Sequence, residues 1–187
     1  MTSDDITPEH PLPPSARLRY EVLGVQHAAE LFEALSDSAL YTYQPADPPA
    51  SLDWLVQRFQ TLSRGHSADH SEQWLNWLVR DSKSGVPVGM LQATVTPDHS
   101  AYIAYIVFTR YQRMGLAQEA VLWMLDQLQS THGCTQATAE VDTRNTGSNR
   151  LLQKLGFETT GMKPDADYFK GASSDEYQYR RELARGA

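Results

Sequence analysis

The chain has 187 residues, 41% hydrophobic and 21% charged, with 16 Lys plus Arg against 23 Asp plus Glu for a formal net charge of −7. That composition fits one globular domain with a sizeable core, not a disordered chain, and lacks the clustered cations that broad nucleic-acid binding requires. No apolar run approaches the roughly 20 residues of a membrane span, Met1-Thr2-Ser3-Asp4-Asp5 carries no apolar signal-peptide core, and the single cysteine, Cys134, excludes an internal disulfide and a cysteine-built zinc site.

A cytoplasmic protein with neither nucleic-acid nor membrane partners is therefore expected. Residues 1–15, with Pro8, Pro11, Pro13 and Pro14, read as a flexible tail, and residues 16–187 as a single domain. Arg17 to Leu23 is predicted as the first strand. Ala28, Leu31, Phe32 and Leu35 recur at helical spacing, as do Leu52, Leu55, Val56, Phe59 and Leu62 behind an N-cap at Ser51. Leu75, Trp77 and Val79 alternate as in a half-buried strand. The turn Ser82 to Gly85 leads into a strand over Val86 to Thr96, and Ala101 to Phe108 completes a meander.

Tyr111 to Gly115 is a tight connection into a helix whose apolar stripe runs Ala117, Ala120, Val121, Met124, Leu125 and Leu128. Gln136 to Val141 is a short strand. Asn145 caps a helix through Leu155, which Gly156 and Phe157 stop. Phe157 to Met162 and Glu176 to Arg181 are the last predicted strands. The order β-α-α-β-β-β-α-β-α-β-β makes a mixed α/β or α+β domain.

Chemistry concentrates at the mouth of the third helix. In Gln112-Arg113-Met114-Gly115-Leu116-Ala117, Gly115 lets the backbone turn and approach a ligand. The first helical N–H groups have no internal partner and sit at the positive end of the dipole, which suits phosphate. Arg110 and Arg113 flank the spot. Neither a P-loop nor a G-x-G-x-x-G dinucleotide fingerprint is present.

Thirty residues on come Asn145-Thr146-Gly147-Ser148 and then Leu151-Leu152-Gln153-Lys154-Leu155-Gly156-Phe157. The pair Q-x-x-G-x-A and N-x-x-S…L-L-x-K-L-G-F resembles the GCN5-related N-acetyltransferase (GNAT) superfamily. With Arg17-Leu18-Arg19 and Ala29-Glu30-Leu31-Phe32, it resembles the ribosomal-protein N-terminal acetyltransferase branch, over about residues 16 to 181. The resemblance implies an α+β fold: a mixed sheet of six to seven strands, the fourth and fifth splayed apart, with about four flanking helices. It implies direct transfer of acetyl from acetyl-CoA to an amine, either a small molecule or a protein N-terminus, without a metal.

By the same resemblance, backbone groups of Ile106, Val107 and Phe108 would pair with the pantetheine and thioester. The amides of Arg113, Met114, Gly115, Leu116, Ala117 and Gln118 would cradle the pyrophosphate. Asn145 would reach the cosubstrate, with Ser148 near its sulfur. The chain departs from the family in placing Arg113 at the first glycine of R-G-x-G and Leu152 at the usual tyrosine acid. Tyr102, Ala104 and Tyr105 occupy the strand region that often holds an acid. Ser148 is therefore the expected general acid and Glu140 the expected base, with Tyr168 or a water chain as alternatives.

Blander roles stay open: a simple cap for Asn145, a solvated hydroxyl for Ser148, a surface carboxylate for Glu140. His66 and His70 lack a third metal ligand, Cys134 reads as a small buried side chain, and Trp54, Trp74 and Trp77 read as core or pocket wall. An inactive acyl-CoA-binding sensor is the alternative function, and a homodimer is left open.

Overall fold

The computed structural model describes residues 12–183. The expected tail falls largely on residues 1–11, outside the described residues. Its last positions are tied down: Leu12 packs on the core, the Trp123 indole donates to the Pro13 carbonyl at 2.7 Å, and Ser15 Oγ donates to Glu119 at 2.6 Å.

The strands are β1 (Leu18–Val22), β2 (Gln73–Asp81), β3 (Pro87–Val95), β4 (Ser100–Val107), β5 (Gln136–Asp142), β6 (Glu158–Phe169) and β7 (Ala172–Glu182). The helices are α1 (Ala28–Leu35), α2 (Leu52–Leu62), α3 (Leu116–Ser130) and α4 (Thr146–Lys154). Ser51 caps α2 by accepting from the Trp54 N–H at 3.1 Å. Gly156, at φ +79, ends the α4 region as expected: its N–H returns to the Gln153 carbonyl and the Phe157 N–H to that of Leu152, each at 3.0 Å.

Seven strands form one sheet in the order β1-β2-β3-β4-β5-β7-β6. Every pairing is antiparallel except β4 with β5. Side-chain alternation along the strands separates two cores. On one face Ile103, Ala137, Ala139 and Tyr179 pack with Val121, Met124 and Leu128 of α3 and Leu152 of α4, and Trp123 stacks on Tyr20 with ring centroids 3.6 Å apart. On the other face Leu78, Met90 and Phe108 pack with Leu31 and Leu35 of α1 and Leu55 and Phe59 of α2.

Two expectations need correction. β6 and β7 are longer than the predicted segments, because register shifts between Lys163 and Asp167 absorb Pro164 and Asp165 without ending the hairpin. Trp54 is not core: it lies on the first turn of α2 and is 47% exposed, while Trp77 is buried.

Candidate active site

The mouth of α3 is shaped by two left-handed residues, Arg113 at φ +63 and Gly115 at φ +75. Arg113 thus takes the conformation a glycine would adopt, at a cost of about 1–2 kcal/mol for an L residue. The first backbone bond into the helix runs from Glu119 N–H to the Gly115 carbonyl. The N–H groups of Leu116, Ala117 and Gln118 therefore precede the helical ladder and converge at its positive end. Arg17 braces this turn by donating to the Met114 carbonyl at 2.9 Å.

Beside the mouth, β4 and β5 diverge. Their parallel pairing covers only Ser100 to Tyr102 against Gln136 to Thr138, while β5 continues alongside β7 as far as Asp142. The second half of β4 thus has no neighbour on its β5 side. The described bonds separate the residues expected to face this gap together. The Phe108 N–H is committed to the Val88 carbonyl at 2.9 Å. The Ile106 carbonyl faces β3 so closely that a Cβ on Gly89 would lie 2.2 Å from it. Backbone groups of alternate residues point the same way along a strand, so Tyr105 and Val107 turn theirs toward the gap and Ile106 and Phe108 do not. Gln112 Nε2 also reaches the Val107 carbonyl, at 3.1 Å.

At the α4 end, Asn145 Oδ1 accepts from the Ser148 N–H at 3.1 Å, so the cap uses only the amide oxygen. A buried network holds this corner. Asp142 accepts from Ser174 Oγ at 2.7 Å and from Arg144, which with Ser174 keeps its carboxyl below the usual range against burial. Asn149 donates to the Asp142 carbonyl and accepts from Tyr179 Oη at 3.0 Å.

Ser148 and Glu140 lie on opposite faces of the sheet. Ser148 sits with α3 and α4, whereas Glu140 alternates with the core-facing Ala139 and so points the other way. Glu140 Oε1 accepts from Gln178 Nε2 at 3.0 Å. Tyr102 and Glu176 share its surroundings. Burial, then the Glu140 carboxylate, raises the Tyr102 phenol; burial, then the Glu140 and Asp167 carboxylates, raises Glu176. Tyr168 is on β6 and largely exposed. Neither Tyr102 nor Glu176 is among the site residues the sequence predicts. Only the strand parity of Tyr102 and the pairing of Glu176 opposite Asp142 place them there.

Elsewhere, burial raises the Cys134 thiol above its ordinary value. The His66 and His70 rings stack with centroids 3.9 Å apart, and among the described residues no three His, Cys, Asp or Glu side chains form a metal-holding group. No described helix is long and apolar enough to cross a membrane.

A mixed sheet whose only parallel pair among the described residues splays beside an amide-lined helix mouth defines an acyltransferase-type scaffold. Residues 17–158 match the acetyltransferase (GNAT) domain family. The chain belongs to that family and is an acyltransferase. It is 25% identical over 169 residues to the uncharacterized N-acetyltransferase YoaA of Bacillus subtilis (strain 168), covering 90% of this chain and 95% of YoaA. Its fold matches the Salmonella typhimurium acetyl transferase that modifies the N-terminal serine of ribosomal protein L7/L12, with a TM-score of 0.79, 17% identity, and 94% and 100% of the two chains covered. It also matches spermidine N-acetyltransferase from Vibrio cholerae in complex with CoA and spermine, with a TM-score of 0.79, 16% identity, and 91% and 98% coverage.

Proposed function

We propose that the protein transfers the acetyl group of acetyl-CoA to a primary amine by direct attack in a ternary complex. The observation that carries this reading is the divergence of β4 from β5 beside the free amides of α3. The diphosphate rests on the amides of Arg113 to Gln118, the pantetheine lies against the free edge at Tyr105 and Val107, and Asn145 approaches from α4. This reading reassigns to Tyr105 the backbone role first given to Ile106 and Phe108.

The amine nitrogen attacks the acetyl carbon, the C–S bond breaks, and the thiolate takes up a proton while the amine loses one. Positioning does most of the work, because a free amine is already a competent nucleophile. Ser148, on the α4 side of the sheet, donates toward sulfur in this reading. Glu140, on the opposite face, accepts the amine's proton through water in the same reading.

The acceptor side is acidic and aromatic, with Tyr102, Glu140 and Glu176 together. That chemistry favours a cationic amine, since a nearby cation relieves the mutual repulsion of carboxylates. The compartment is the cytoplasm, where acetyl-CoA is available as substrate.

Thiol release from acetyl-CoA across a panel of amines, from polyamines to peptides with free N-termini, tests the reading. Turnover that needs both substrates is expected. Tight acetyl-CoA binding without turnover on any amine would instead support an acyl-CoA sensor, the reading suggested by a buried Leu152 at the position of the missing tyrosine.

A further inference from the structure

The Tyr105 hydroxyl is a buried polar atom without a hydrogen-bond partner among the described residues, one of only two such side-chain atoms. A buried hydroxyl left unpaired costs roughly 1–3 kcal/mol, so its position calls for a physical reason. Tyr105 lies three residues beyond the last β4–β5 pair, at Tyr102 and Thr138, with its side chain packed on the α3–α4 face. Ser148 of α4 approaches the phenol closely enough to offset part of the upward push of burial on its pKa, without completing a bond of normal geometry. Tyr179, the other phenol in this corner, is already committed to Asn149. A small apolar void beneath the first turn of α3 is bounded by Tyr105 and Val107 of β4 and by Leu18, Val79 and Val88 of β1 to β3.

We propose that the Tyr105 hydroxyl is a donor to the sulfur end of the bound acyl-CoA, acting beside Ser148 from the opposite wall of the gap. The proposal rests on the acetyl-CoA reading above. A diphosphate at residues 113–118 sends the pantetheine back along β4, so sulfur arrives near the first unpaired residues of that strand. There the two hydroxyls meet it from β4 and α4. Tyr105 stays protonated throughout and stabilises the departing thiolate by hydrogen bonding alone. It thus supplies a phenol that Leu152 cannot offer from α4.

The test is calorimetric binding of CoA and of desulfo-CoA, which lacks the sulfur, to the wild type and to Tyr105→Phe. The ring is retained, and circular dichroism checks the fold; Ser148→Ala, with no aromatic packing to lose, is measured in parallel. Tyr105→Phe should bind CoA about fivefold more weakly, the worth of one ordinary hydrogen bond, and desulfo-CoA within twofold of wild type. Ser148→Ala should show the same selective loss. Equal weakening of both ligands, or of neither, would overturn the proposal. Failure of the wild type to bind either ligand would overturn the acetyl-CoA reading itself, a distinguishable result.

Discussion

Arg17 and Glu119 hold each other twice: Arg17 Nε donates to Oε2 at 2.7 Å and the Arg17 backbone N–H to Oε1 at 2.6 Å. The same guanidinium reaches the Met114 carbonyl, so the segment entering β1 and the first turn of α3 are fastened together. Because Arg17 is half exposed, the pair adds at most about 1 kcal/mol of stability. Its effect should be on shape. Arg17→Ala is expected to shift the urea midpoint little and to weaken CoA binding several-fold by calorimetry. Unchanged affinity would remove Arg17 from the bracing of the loop.

Gly89 is fixed by the backbone opposite it. A Cβ there would sit 2.2 Å from the Ile106 carbonyl, and backbone cannot move aside as a flexible side chain can. Gly89→Ala should therefore cost about 1–3 kcal/mol in urea unfolding. It should also weaken CoA binding, because the displaced strand is the one that lines the gap.

Arg113 separates stability from binding. Arg113→Gly removes the left-handed penalty, and denaturation should show a gain of about 1 kcal/mol, reduced by the freedom glycine has when unfolded. Under the proposed diphosphate site the same change also deletes a neighbouring cation, so CoA affinity should fall and become less salt-dependent. A variant both more stable and tighter-binding would contradict the placement of Arg113.

His27 gives a pH signature. Its Nδ1 accepts from the Gly24 N–H at 3.0 Å, and burial lowers its pKa from the ordinary value, against the partial offset of Glu21. The unfolded chain therefore takes up the proton first as pH falls. The stability this group contributes is present above about pH 6.5 and is lost on acidification below it. Urea midpoints at pH 7.5 and 5.5 should drop more for the wild type than for His27→Gln, which keeps an acceptor but does not titrate. Equal drops would place the acid sensitivity elsewhere.

How far the sequence reaches is plain from particular residues. The strand and helix order follows from local periodicity, and Ser51, Asn145 and Gly156 end or begin helices for reasons contained within a few neighbours. Gly115 at the helix mouth is local in the same way. What local pattern does not carry is the direction of a strand edge. Ile106, Val107 and Phe108 look alike in sequence, yet which of them faces β3 depends on a register set across the sheet. The Tyr105 hydroxyl is hidden for the same reason, since its isolation arises only where β4 leaves β5. Pro164 and Asp165 look like breakers, but a paired partner strand carries the chain past them as a bulge.

In the proposed complex, acyl-CoA lies in one continuous site from the mouth of α3 to the gap beside Tyr105. Backbone amide shifts in a ¹⁵N-labelled sample titrated with acetyl-CoA test it most directly. The largest changes are expected at Arg113 to Gln118, at Tyr105 and Val107, and at Asn145 to Ser148, saturating together. Saturation with those amides unmoved, or with changes confined to another face of the sheet, would contradict it.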